Sequence, residues 1–125
     1  MPHIRLEYSN NLNITFKLHD LFREIHHILH EVAGIEISNC KSRVIRSSDF
    51  FIGEGDDQEA LVHLDIHFLE GRSNDIKKDT GNRLLSLLKK YFKEEDNSCR
   101  IQITIEIHDI IRETYFKYSV DSRKT

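Results

Sequence analysis

The chain has 125 residues, under the ~150 of a typical structural unit, so residues 1–125 are expected to form a single domain. Eighteen Lys and Arg stand against twenty-one Asp and Glu, for a formal net charge of −3 with both signs interspersed, a balance that argues against a phosphate-backbone binder. At 38% hydrophobic and 31% charged residues, and with no apolar run near the ~18 residues of a membrane span, a folded chain with neither nucleic acid nor membrane as partner is expected.

Ile4, Leu6 and Tyr8 alternate with His3, Arg5 and Glu7, so Pro2 to Tyr8 reads as a half-buried strand. Leu18, Leu21, Phe22, Ile25, Ile28, Leu29 and Val32 follow the three-four spacing of one helical stripe, and Gly34 stands where a C-terminal cap releases the chain. Cys40 to Ile52 carries β-branched and aromatic residues around Ser47-Ser48-Asp49 and reads as a second strand, with room for a bend. Gly53-Glu54-Gly55-Asp56-Asp57 is a polar turn.

The second half repeats the order. Val62, Leu64, Ile66 and Phe68 alternate with His63, Asp65, His67 and Leu69 in a strand that Gly71-Arg72-Ser73 breaks. Ser73 can cap the next helix and Asp75 suits its positive end, while Ile76, Leu84, Leu87, Leu88, Tyr91 and Phe92 line one helical face. Gly81 within that helix costs about 1 kcal/mol relative to alanine. Lys89-Lys90 and Glu94-Glu95-Asp96 read as solvated charge runs near its end. Ile101, Ile103, Ile105 and Ile107 alternate with Gln102, Thr104, Glu106 and His108 in the clearest strand. The tail from Asp109 to Thr125 is expected to pack Tyr115, Phe116 and Tyr118 while its last charged residues fray.

Strand, helix, strand thus occurs twice, and an offset of 60 lays His3-Ile4 and Leu6 on His63-Leu64 and Ile66. Each unit should cross over right-handedly to a parallel partner. Two duplicated β-α-β units side by side then give an α+β fold, a four-stranded mixed sheet with both helices on one face. The other face would display His3, Arg5, Glu7, Leu61, His63, Asp65, His67 and Leu69, too polar for a dry core. Sheets of several subunits packed around a partly polar interior would resolve this, so a closed cyclic oligomer is expected.

Pro2 is the most informative position for chemistry. A small residue after the initiator normally allows removal of Met1, which would expose a secondary amine at the rigid start of a strand. A proline there costs little structurally, and Met-Pro also occurs by chance. Read together with the duplicated pattern, Pro2-His3, Ser42-Arg43-Val44, Val62-His63, Gly71-Arg72-Ser73 and Phe116-Lys117 appear in an order that resembles the tautomerase superfamily, and within it the 5-carboxymethyl-2-hydroxymuconate Δ-isomerases.

The resemblance implies a homotrimeric isomerase that works without a cofactor, with Pro2 as general base and acid on a small unsaturated hydroxy or keto acid bearing two or three carboxylates, from aromatic-compound breakdown. Arg72 would bind a substrate carboxylate, with Arg43 a weaker candidate. Lys41 stands on the same strand face, where the relatives tend to have arginine. They also place tryptophan near Ser47 to Phe51; this chain has none, leaving Phe50 or Phe51 to fill the space. Another tautomerase activity, on a different enol or a halogenated acid, and a non-enzymatic oligomeric binding module are the rival readings.

Elementary chemistry sets a condition on such a base. An exposed terminal amine, with a pKa of about 7.7 to 8.0, is mostly protonated at pH 7, so burial or nearby guanidinium groups must lower it. Arg72 could do this and also stabilise the negative charge developing on a dienolate.

Two histidine sets invite a metal test. His26 and His30 lie four apart on a helix, and His63, Asp65 and His67 share a strand face. The first reads as solvated, the second as hydrogen-bonded side chains lining an oligomer interior, and no metal is expected. Cys40 and Cys99 lack CxxC spacing and begin apolar-alternating stretches, so both read as packed thiols. With no basic-then-apolar leader, the expected location is cytoplasmic.

Overall fold

A computed structural model describes residues 1–93 and 99–123. Strand β1 (His3–Ser9) leads to helix α1 (Leu18–Ala33), a 3₁₀ turn (Ile37–Asn39) and strand β2 (Lys41–Ser47). Strand β3 (Glu59–Leu69), helix α2 (Asn74–Lys93) and strand β4 (Arg100–Ile110) repeat the order, and a 3₁₀ turn (Arg112–Thr114) opens the tail. The sheet order is β2-β1-β3-β4. β1 runs parallel to β2 and β3 parallel to β4, whereas β1 and β3 meet antiparallel. The expected duplicated α+β fold is therefore the one observed.

The register exposes the internal symmetry. Arg5 lies opposite Asp65, and these are equivalent positions under the offset of 60, so the local twofold relating the halves passes between them.

Alternation decides which strand residues face the helices. Ile4, Leu6, Val62, Leu64 and Ile66 are fully buried beneath the helices, against Leu21, Ile25, Leu29, Leu84 and Leu88 from the predicted stripes. Burying such a side chain contributes about 1.5–3 kcal/mol before entropy is counted. Helix ends follow local chemistry. Gly34 adopts φ 67°, a left-handed conformation that suits glycine, and its N–H donates to the His30 carbonyl at 3.1 Å. The Ser73 hydroxyl accepts the Ile76 N–H at 3.2 Å as the cap read from sequence. Cys40 and Cys99 are free thiols packed against the core.

Two expectations need correction. The second strand ends at Ser47 rather than Ile52. β2 is an edge strand whose neighbour is β1, and β1 ends at Ser9 in a turn closed by the Leu12 N–H on the Ser9 carbonyl at 3.1 Å. Beyond Ser47 the ladder has no strand to pair with. Of the phenylalanines that follow, Phe50 is half-buried, whereas Phe51 is 78% exposed with its ring against Gly55.

The tail also differs. Asp109 and Ile110 belong to β4, and Phe116 and Tyr118 are 87% and 88% exposed instead of packed. The helices already cover the apolar sheet face and the other face is polar, so one chain offers these rings no apolar surface. Tyr115 alone of the three is half-buried, edge-on to His3. The run Glu94-Glu95-Asp96 lies outside the described residues. Among those described, no helix is long and apolar enough to cross a membrane.

Candidate active site

The start of β1 brings a small group of cations around the chain terminus. Pro2 is buried, and its carbonyl accepts the Lys41 N–H at 3.2 Å, extending the β1–β2 ladder by one residue. The missing proline N–H removes no bond that this pairing uses. Met1 is half-buried, with the Lys117 ammonium 3.4 Å from its sulfur. Burial first, and then the charges of Lys41, Arg72, Lys117 and Arg112, hold the terminal amine below its usual pKa of 8.0. The free-base form of this amine is therefore easier to reach than that of an exposed one.

His3 connects this group to the sheet. Arg43 donates to its Nδ1 at 2.8 Å, which leaves Nε2 as the protonated nitrogen facing the Tyr115 hydroxyl at 3.0 Å. Burial, then Arg43 and Lys41, lowers the His3 pKa, so the ring is held neutral. Lys41 and Arg43 project from the same face of β2, as expected, with the Lys41 ammonium 3.2 Å from the Asn39 carbonyl.

Arg72 occupies the β3–α2 loop and has a structural task as well. Its Nε donates to the Ala33 carbonyl at 2.8 Å and its Nη1 to the Leu69 carbonyl at 3.1 Å, with the guanidinium 5.1 Å from the Phe68 ring centroid. Two of its nitrogens thus tie the end of α1 to the end of β3, while its charge still reaches the terminal amine. The charges of Arg72 and Lys41 act on the chain terminus, and Arg43 is linked to β1 through His3.

Sequence reasoning gave Lys117, Arg112 and Tyr115 no part in the site, Tyr115 being expected only to pack. Phe116-Lys117 was visible only as part of the resemblance, and nothing local marks Arg112. Its N–H and guanidinium bind Glu70 at 2.8 and 3.2 Å, which turns the tail back toward β1.

The histidine sets separate. His26 is bonded to Ser42 at 2.7 Å and His30 to the Ile35 carbonyl at 2.9 Å, so each has its own protein partner rather than being merely solvated. On the open sheet face His63 and Asp65 meet at 3.1 Å, and β4 adds Glu106 and His108, which the sequence reading left out. The rings of His67 and His108 stack at 4.4 Å.

With this geometry in place, likeness to known proteins is informative. The sequence profile of a family described as 5-carboxymethyl-2-hydroxymuconate isomerase matches residues 2–121. A 5-carboxymethyl-2-hydroxymuconate Delta-isomerase of Escherichia coli is 26% identical over 117 residues, covering 94% of this chain and 93% of that protein. The crystal structure of a 5-carboxymethyl-2-hydroxymuconate isomerase from Deinococcus radiodurans R1 superposes with a TM-score of 0.83 at 26% identity, covering 95% of this chain and 90% of that one. A fused 4-OT described as a symmetric trimer has the same fold, with a TM-score of 0.69 at 13% identity, 89% of this chain and 88% of that one being covered.

Proposed function

Because the chain belongs to the 5-carboxymethyl-2-hydroxymuconate isomerase family, whose profile covers it from residue 2 to residue 121, we propose that this isomerase moves a proton along a small unsaturated acid with the nitrogen of Pro2. The substrate class is a hydroxy or keto acid with two or three carboxylates, and 5-carboxymethyl-2-hydroxymuconate from aromatic-compound breakdown is the first candidate. The observation that carries the mechanism is the buried Pro2 at the start of β1 beside a chain terminus on which Lys41, Arg72, Lys117 and Arg112 all act, burial and then these charges lowering the pKa of the Met1 amine next to it.

Removal of Met1 makes the Pro2 nitrogen a free secondary amine at the same end of β1. Unprotonated, it takes a proton from the 2-hydroxyl group or an allylic carbon. The dienolate that forms is stabilised by the surrounding cations, Lys41 and Arg72 foremost and Arg43 as an auxiliary, which also hold the carboxylates. The protonated amine then returns the proton to another carbon, and the double bond has shifted. The amine both accepts and donates, so this scheme asks nothing of a cofactor.

A homotrimer in the cytoplasm completes the reading. The polar open face of the sheet and the exposed Phe116 and Tyr118 support subunit packing, and a fold neighbour is described as a symmetric trimer. Intact-mass measurement beside turnover of 5-carboxymethyl-2-hydroxymuconate tests the mechanism. Active protein should begin at Pro2; full turnover by protein that retains Met1 overturns the assignment of the base.

A further inference from the structure

On the open sheet face, remote in sequence from the chain start, four side chains form a closed ring. His63 and Asp65 alternate along β3, and Glu106 and His108 alternate along β4, with Asp65 and Glu106 register partners in the parallel pair. His63 Nε2 lies 3.1 Å from Asp65 Oδ1 and 3.4 Å from Glu106 Oε1. His108 Nε2 lies 3.3 Å from the same Asp65 oxygen and 3.5 Å from Glu106 Oε2. Two donor triads result, His63-Asp65-Glu106 and Asp65-His67-His108, each with its ligand atoms within 4.8 Å of one another and both containing Asp65.

Hydrogen bonds account for only half of this arrangement. Each imidazole Nε2 carries at most one proton, yet each faces two carboxylates. Asp65 and Glu106 are two carboxylates against the single cation Arg5, the register partner of Asp65, so the face retains negative charge for a divalent cation to meet. Adjacent donors bound about 2.1 Å from a single ion stand about 3.0–3.4 Å apart, close to the separations of the ring. His63 is also oriented as a metal-ligating histidine usually is, with its other nitrogen, Nδ1, 2.6 Å from the Thr104 hydroxyl. The His67 ring stacked on His108 fixes the plane of the second imidazole.

We propose that His63, Asp65 and Glu106, with His108 alongside on the shared Asp65 oxygen, form a binding site for a divalent first-row transition-metal ion, zinc above all. The mixed nitrogen and oxygen donor set suits zinc, while magnesium and calcium prefer oxygen alone. The site is separate from the cations around Pro2 and does not depend on the proposed isomerase mechanism.

Titration of the full chain with Co²⁺, followed by its visible absorption, and displacement by Zn²⁺ in a calorimeter test the site. The expected result is one Co²⁺ per chain, displaced by Zn²⁺. Asp65→Asn should weaken binding at least tenfold, roughly, and Thr104→Val by about tenfold through loss of the orienting contact. Glu106→Gln, at a side chain 59% exposed, supplies a ligand variant at little risk to folding, and it too should weaken binding. His26→Gln with His30→Gln should leave the stoichiometry unchanged. Absence of stoichiometric uptake, equal affinity in Glu106→Gln, or loss of the metal in the His26/His30 variant overturns the proposal.

Discussion

The two halves of the open sheet face share one architecture and carry opposite chemistry. On the β1–β2 side, Arg5, Lys41 and Arg43 make the face cationic; on the β3–β4 side, Asp65 and Glu106 stand with His63 and His108. The local twofold between Arg5 and Asp65 marks the change of sign. Duplication of a strand-helix-strand unit thus determines where side chains are presented, and the alternate positions of each strand determine what they can bind. One half is suited to anions and to a free amine, the other to cations.

The sharpest way to break this division is at the amine. Pro2→Ala replaces a secondary by a primary amine and removes the ring that fixes it; turnover of the dienol acid is expected to fall by about 10²–10⁴-fold with folding intact by circular dichroism. Arg72→Ala should cost about 1–3 kcal/mol in denaturant unfolding, because the Ala33 and Leu69 carbonyls lose their donors. It should also reduce turnover of a carboxylated substrate more than of an uncharged enol; equal losses would leave Arg72 only its structural task.

A milder change concerns pH. A base with a lowered pKa becomes active at lower pH, so kcat/KM should rise with pH over a range below that of an exposed terminal amine. Lys41→Met removes the charge that acts most strongly on the Met1 amine at this end of β1 and should move that rise toward higher pH. An unmoved limb would show that Lys41 does not tune the base. Smallest of all, Gln102→Ala, exposed on β4 of the opposite half, should change stability by no more than about 0.5 kcal/mol by thermal unfolding and leave turnover alone.

Much of the fold is legible because it is written in local periods. The period-two recurrence of Ile4 and Leu6 and of Ile101 and Ile103, the stripe from Leu18 to Val32, and the caps Gly34 and Ser73 need only neighbours in sequence. The end of β2 at Ser47 does not, since it depends on where β1 turns away. The exposed Phe116 and Tyr118 looked like core by composition, but the apolar face they would need is already occupied. At the candidate site Pro2, Arg72, Lys41 and Arg43 are visible as residues; the attachment of Arg72 to Ala33 spans 39 positions and left no local trace. Likewise, His63 could not be joined to Glu106 until the β3–β4 register was known.

The bond between Lys41 and Pro2 runs from an amide hydrogen to a carbonyl, and the imide nitrogen on the other side of residue 2 has no hydrogen to contribute to the ladder. Cutting the link to Met1 therefore breaks no strand-pairing contact made by Pro2. On the mechanism proposed for Pro2, trimming by an aminopeptidase would therefore free the reactive nitrogen while leaving the strand pairing of residue 2 as it is.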